Sequence, residues 1–220
     1  GEIFGFIGHN GAGKTTTIKA VAGILPFQKG EIRVDGISVR ENPLECKKRM
    51  AYIPDNPDLY EFLSGIQYLN FIADIFQVPK REREERIGKY GDLFGLTGDL
   101  GSTVSTYSHG MKQKLALIGA LIHEPKLLLM DEPYGQLDLQ LKYHLEDELI
   151  RLWQKTHTTV IFITHNIEEA VYLSDRILVL TNKPTKIKQS LSNDLPRPRK
   201  VSEPEFIKLR NEVTDLIKWW

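Results

Sequence analysis

The run Gly8-His9-Asn10-Gly11-Ala12-Gly13-Lys14-Thr15 fits G-x-x-x-x-G-K-[ST] in full. It follows a strand-like run and opens a helix, the setting this pattern needs to hold phosphate. The glycines let backbone N–H groups turn inward onto phosphate oxygens, and the helix N-terminus adds partial positive charge. Lys14 is expected to reach the β- and γ-phosphates, and the Thr15 hydroxyl to bind Mg²⁺. Leu127-Leu128-Leu129-Met130-Asp131-Glu132 is an apolar strand that ends in two carboxylates. A buried strand delivers its last residues to the crevice where α/β sheets bind ligands. There Asp131 can hold Mg²⁺ through water, and Glu132 can orient and deprotonate an attacking water. Read alone, the pair is equally a solvated acidic turn. His165 follows the run Thr159–Thr164 at the same edge, where it can donate to a γ-phosphate oxygen, steady the water, or only cap or pack the next element. Ser108-His109-Gly110-Met111-Lys112-Gln113 opens another helix. Its N-terminus is either a second anion site or a plain cap supplied by Ser108.

These residues need elements to position them. Glu2–Ile7 reads as a short buried strand running into the Gly-rich turn, with a helix from about Lys14 to Leu25. Glu31–Val34 and Ala51–Ile53 read as short strands, the first followed by the turn signal Asp35-Gly36 and the second stopped by Pro54. Residues 65–95 carry Ile66, Leu69, Ile72, Ala73 and Phe76 at helical spacing. The mixed-sign run Lys80–Arg86 reads as a solvated helix face. Then come a helix over Ser108–Ile122, a strand over Lys126–Met130, a helix over Leu139–Lys155, a strand over Thr159–Ile163, a helix over Ile167–Leu173 and a strand over Arg176–Leu180. All-apolar strands alternating with helices predict an α/β fold with a mostly parallel sheet flanked by helices. Residues 181–200 are polar and Pro-rich and read as a linker. Ser202 with Glu205 forms a capping-box pattern, and Pro204 suits a first turn, so a C-terminal helix is expected over 201–220 and ends at Trp219-Trp220.

Composition narrows the choice of function. The 220 residues carry 29 Lys+Arg against 29 Asp+Glu and one cysteine. A net charge of zero argues against attachment to nucleic acid or anionic lipid by bulk electrostatics. Cys46 alone leaves no internal disulfide and no multi-cysteine metal site, which fits a reducing compartment. The apolar run Leu115–Ile122, among the longest, is far short of a membrane span. No basic-then-apolar leader marks the chain for secretion.

Together and in this order, the motifs resemble the ATP-binding subunit of an ABC transporter, a P-loop NTPase. Gly8–Thr15 is similar to the family's Walker A loop, which Thr16 extends. Ser108–Gln113 occupies the place of the signature, Leu127–Glu132 that of Walker B, Gly135-Gln136-Leu137-Asp138 that of the D-loop, and His165 that of the switch histidine. The resemblance covers essentially the whole chain. It implies ATP and Mg²⁺ as ligands, with Glu132 and His165 catalytic and Thr15, Asp55 and Asp131 at the metal. It further implies a head-to-tail homodimer, or a pair with another ATPase subunit, in which Ser108 and Gly110 of one subunit cap the P-loop of the other. Closing on ATP and opening after hydrolysis would drive transmembrane subunits between states. Residues 54–105 correspond to the helical subdomain that touches those subunits. The implied place is cytoplasmic, peripheral on the inner face of the cell membrane, with no membrane span of its own and no nucleic acid partner.

Several positions depart from the family pattern. Asp55 stands where a Gln usually ligates Mg²⁺ and senses the transmembrane subunit. The signature has His109 for Gly and Lys112 for Gln, and the D-loop has Gly135-Gln136 for Ser-Gly. Residues 1–132 resemble exporter ATPases of the drug, antibiotic-peptide or sodium type, as in Pro54–Tyr60 and Tyr107–Gln113. Residues 133–220 resemble importer ATPases of the nitrate, sulfonate and taurine type, as in Asp131–Asp138, Thr164–Ala170 and Leu195–Arg199. A mosaic joined between Gly110 and Pro133 is therefore expected. Only seven residues precede Gly8, fewer than in the family. The antiparallel β subdomain is thus expected to be truncated at its N-terminus, without the aromatic residue that stacks on adenine, and ATP to be held mainly by its phosphates. One rival is a nucleotide-gated regulatory module that hydrolyses little. Another is a DNA-repair or chromosome-structure ATPase, against which the lack of a heptad run counts.

Overall fold

A computed structural model describes residues 1–135, 137–181 and 185–218. Among these, a six-stranded sheet has the order β4-β5-β6-β1-β7-β8, formed by β1 (Ile3–Ile7), β4 (Met50–Ile53), β5 (Leu127–Asp131), β6 (Thr159–Thr164), β7 (Arg176–Leu180) and β8 (Ile187–Ser192). Five strands are parallel, and β8 pairs antiparallel with β7. The strand that feeds the Gly-rich turn is thus central. Ile7 is in register with Thr164, and Asp131 with Ile163, so the ends of β5, β6 and β1 lie side by side at one edge.

The apolar run of β5 is buried at every position, and its alternation explains why both faces are covered. Leu128 and Met130 join a core built with α3 (Gly65–Ile75), α4 (Lys80–Leu93), α5 (His109–Leu121) and α6 (Leu139–Thr156). Leu127 and Leu129 face the opposite way, into a core with Ile18 of α1 (Lys14–Val21) and Cys46 of α2 (Pro43–Lys48). A third core joins Ile177 and Val179 of β7 to α7 (Ile167–Leu173) and to Phe206 and Val213 of α8 (Pro204–Ile217).

Several expectations are corrected. The helical stretch read over 65–95 is two helices, broken where Gln77 takes φ 55 and Pro79 caps α4. Proline disfavours helical backbone at the residue before it and lacks the N–H an interior turn needs. The first strand of the β subdomain shrinks to β2 (Arg33–Val34), which turns at Asp35-Gly36 into β3 (Ile37–Ser38). The segment 181–200 is not a plain linker, because Ile187–Ser192 completes the sheet. Only Leu191 of that strand is buried, so a polar edge strand hid in a polar sequence. Ser202 does not cap α8; the cap position is Glu203 and no side-chain cap bond forms there. The helix read over 201–220 begins at Pro204. Trp219 and Trp220 lie outside the described residues, as does Gln136 of the D-loop segment.

Candidate active site

The Gly-rich turn leaves β1 at Gly8, whose missing side chain matters because a Cβ would sit 3.1 Å from Leu180 Cβ. Gly11 and Gly13 take φ values of 82 and 78, the left-handed region that favours glycine. A Cβ on Gly11 would meet nothing within 4 Å, so backbone conformation and not crowding is what favours glycine there. Lys14 curls back and donates to the carbonyls of Gly8 at 2.7 Å and His9 at 3.1 Å. Burial pulls its ammonium below the ordinary value, and the charges of Glu132 and Asp131 oppose that shift. Asn10, Thr15 and Thr16 are exposed, while Ala12 is buried. The His9 ring reaches the carbonyl of Ile217, at the last turn of α8, at 2.9 Å.

The next pair of strand ends supplies the acidic groups. Thr15 Oγ1 donates to Asp131 Oδ1 at 3.0 Å. Asp131 is 4% exposed. Burial raises its carboxyl above the ordinary value, the Thr15 hydrogen bond pulls the other way, and the charges of Asp55 and Glu132 add to the rise. Tyr52 OH approaches Asp131 Oδ2 at 3.5 Å, and burial first, then Asp131 and Asp55, push that phenol up to about 12. Asp55 itself is exposed just beyond β4, with its Oδ1 accepting from the Asn56 N–H at 2.9 Å. Glu132 takes φ 46, a strained region for a non-glycine residue of the kind that gathers at functional sites. Its Oε2 lies 3.1 Å from His165 Nδ1. Thus the turn, the two carboxylates and the histidine meet at one sheet edge.

The signature segment is held elsewhere. Ser108 caps α5, its Oγ accepting from the Met111 N–H at 3.3 Å. His109 is partly exposed. Gly110 is buried where a Cβ would lie 2.2 Å from Leu141 Cδ2. Lys112 is ion-paired with Glu61. Gln113 Nε2 donates to the Pro133 carbonyl at 2.6 Å, tying α5 to the segment after Glu132. Asp138 caps α6, its Oδ1 accepting from the N–H groups of Gln140 and Leu141. Two further neighbours of the site carried no sequence signal. Tyr52 sits in an ordinary strand, and Thr185, which donates to the Ala12 carbonyl at 2.8 Å, sits in a polar loop.

A central parallel strand feeding a phosphate-type turn, with acidic strand ends beside it, defines a P-loop nucleotide-binding domain. A family model described as ABC transporter matches residues 1–135. The chain belongs to the ABC transporter family, as an ATP-binding domain. It is similar to an ABC transporter ATP-binding protein of Methanocaldococcus jannaschii, 34% identical over 217 residues that take in 99% of this chain and 80% of that one. An aliphatic sulfonates import ATP-binding protein of Bacillus cereus is 34% identical over 213 residues, 97% of this chain and 82% of that one. A solved ATP-binding subunit of an ABC transporter superposes with a TM-score of 0.80 at 30% identity, over 97% of this chain and 88% of that one. Both sequence likenesses extend across position 132, so a join between Gly110 and Pro133 is not needed to account for them.

Proposed function

We propose that the chain hydrolyses Mg²⁺-ATP and that this hydrolysis powers a transport system through transmembrane subunits. The observation that carries the reading is the convergence at one sheet edge: Thr15 on Asp131 at 3.0 Å and His165 on Glu132 at 3.1 Å. Mg²⁺ favours hard oxygen ligands and takes one or two carboxylates plus substrate phosphates, not a full protein cage. The juxtaposed Thr15 hydroxyl and Asp131 carboxylate fit that demand, and Asp55 lies close enough to influence Asp131's charge. Among the described residues no cluster of three or more His, Cys, Asp or Glu offers a different metal cage. When bound, the metal neutralises charge on the β- and γ-phosphate oxygens.

The remaining work falls to side chains and amides. Lys14 exchanges the Gly8 and His9 carbonyls for phosphate oxygens, while residues 8–16 supply N–H donors. Glu132 orients a water for attack on the γ-phosphorus and takes its proton. His165 holds the Glu132 carboxylate and reaches the γ-phosphate side of the site. Ser108 to Gln113 of one copy would close over the nucleotide of a second copy, and Asp138 would set the loop between them. The likeness to an aliphatic sulfonates import ATP-binding protein supports import as the direction. Among the described residues no helix is long and apolar enough to cross a membrane.

Phosphate release by the purified chain is the test. Sustained release with Mg²⁺ and ATP, abolished by excess EDTA, is expected. Nucleotide binding without sustained release would instead favour a nucleotide-gated module that hydrolyses little.

A further inference from the structure

Beneath His165 lies a buried ionic cluster that the roles above leave unused. Thr164 Oγ1 donates to Glu169 Oε2 at 2.5 Å and accepts from the Asn166 N–H at 2.9 Å. Asn166 in turn caps α7, accepting from the N–H groups of Glu168 and Glu169. These bonds close the turn on both sides of His165. From α6, Lys142 Nζ meets Glu169 Oε1 at 2.5 Å, with the two side chains 12% and 6% exposed. Glu146, one turn further along α6, lies 3.9 Å from the same ammonium. Burial pushes the Glu146 carboxyl up to about 8, and at 2.5 Å against 3.9 Å Glu169 is the closer partner of Lys142. A cavity of about 240 Å³ lies over this cluster and is lined by Glu132, His165, Lys142 and Glu169. The helix that carries Lys142 starts at the cap Asp138.

We propose that Lys142 is a positioning residue for hydrolysis: its ion pair with Glu169 fixes the turn that holds His165 against Glu132. A buried charge pair is a costly element if it only supports the fold, since apolar residues of similar size often do as well. Here its geometry has a further use. It ties the helix that begins at Asp138 to the residue that grips the candidate base, so movement of one is felt by the other. The ion pairs of Lys142 are with Glu169 and Glu146, not with Glu132, and the inference rests on the hydrolytic reading given above.

The test compares steady-state hydrolysis and thermal unfolding of the full chain, Lys142→Met, Lys142→Arg and Lys142→Met/Glu169→Gln. Misplacement of a catalytic group by a fraction of an ångström to 1 Å lowers turnover steeply, so Lys142→Met is expected to lose about tenfold or more in kcat with little change in KM for ATP. Lys142→Arg keeps the charge and should recover much of the rate. The double variant removes both charges, keeps an acceptor for Thr164, and guards against misfolding of the single variant. Its unfolding temperature should return toward that of the unaltered chain while kcat stays low. If the double variant recovers rate together with stability, or Lys142→Met matches the unaltered chain, the ion pair serves the fold alone and the proposal is overturned. An unaltered chain without hydrolysis would overturn the underlying ATPase reading, and this proposal with it.

Discussion

Thr15 and Asp131 come from places 116 residues apart in the chain and meet at 3.0 Å. The bond satisfies a buried carboxylate, and the same two oxygens are the hard ligands that Mg²⁺ prefers. Thr15→Ala should therefore raise the Mg²⁺ concentration needed for half-maximal hydrolysis, while ATP affinity measured in EDTA stays the same; a Mg²⁺ titration of both proteins checks this. Lys14→Ala removes charge-assisted bonds worth about 1.5–3 kcal/mol each, so ATP affinity should fall by about tenfold or more in a fluorescent-nucleotide assay. Much of this chemistry was legible in the sequence because it is local. The glycines, Lys14 and Thr15 are contiguous, and Asp131 and Glu132 end one apolar run. Lys142, Thr164 and Glu169 were not legible as a unit. Each alone reads as a common helix-surface or strand-end residue, and only the packing of α6 on α7 makes them partners.

At the scale of elements, the central strands announced themselves through unbroken apolar runs, whereas β8 and α2 did not. A polar edge strand with one buried residue has almost no hydrophobic period to read, and a helix of six residues has too few turns to show one. Yet β8 leads to α8, which seals one end of the molecule with Phe206, 1% exposed. Phe206→Ala should cost about 3–5 kcal/mol through lost burial and the cavity left behind, read as a lower midpoint in denaturant unfolding. The α6–α7 contact carries a pH prediction. Glu146 is pushed up to about 8, chiefly by burial. Between the ordinary carboxyl range and pH 8 the folded chain keeps a proton that the unfolded chain has lost. Stability from this group is therefore present at low pH and declines as pH rises through that window. Glu146→Gln should match the unaltered chain near pH 5 and become the more stable of the two as pH approaches 8, by thermal unfolding.

For the whole molecule, one outward face remains apolar. Phe62 is 78% exposed, Ile75 57% and Phe71 40%, and a nearby cleft of about 460 Å³ is lined by Leu59, Tyr68, Ile72 and Phe76. These residues fall in the stretch 54–105, which the family resemblance assigns to contact with transmembrane subunits. Phe62→Asp with Phe71→Asp should abolish co-purification with the membrane subunits and leave phosphate release by the isolated chain intact. Such a face, together with balanced charge, suits docking on a protein more than on lipid. Hydrolysis as proposed depends on Glu132 as the group that prepares water for attack. Its most direct test is Glu132→Gln, with bound nucleotide and released phosphate measured on the same sample in Mg²⁺. The expected result is ATP retained unhydrolysed at near-normal affinity, with phosphate release lost. Phosphate release at the unaltered rate would contradict it.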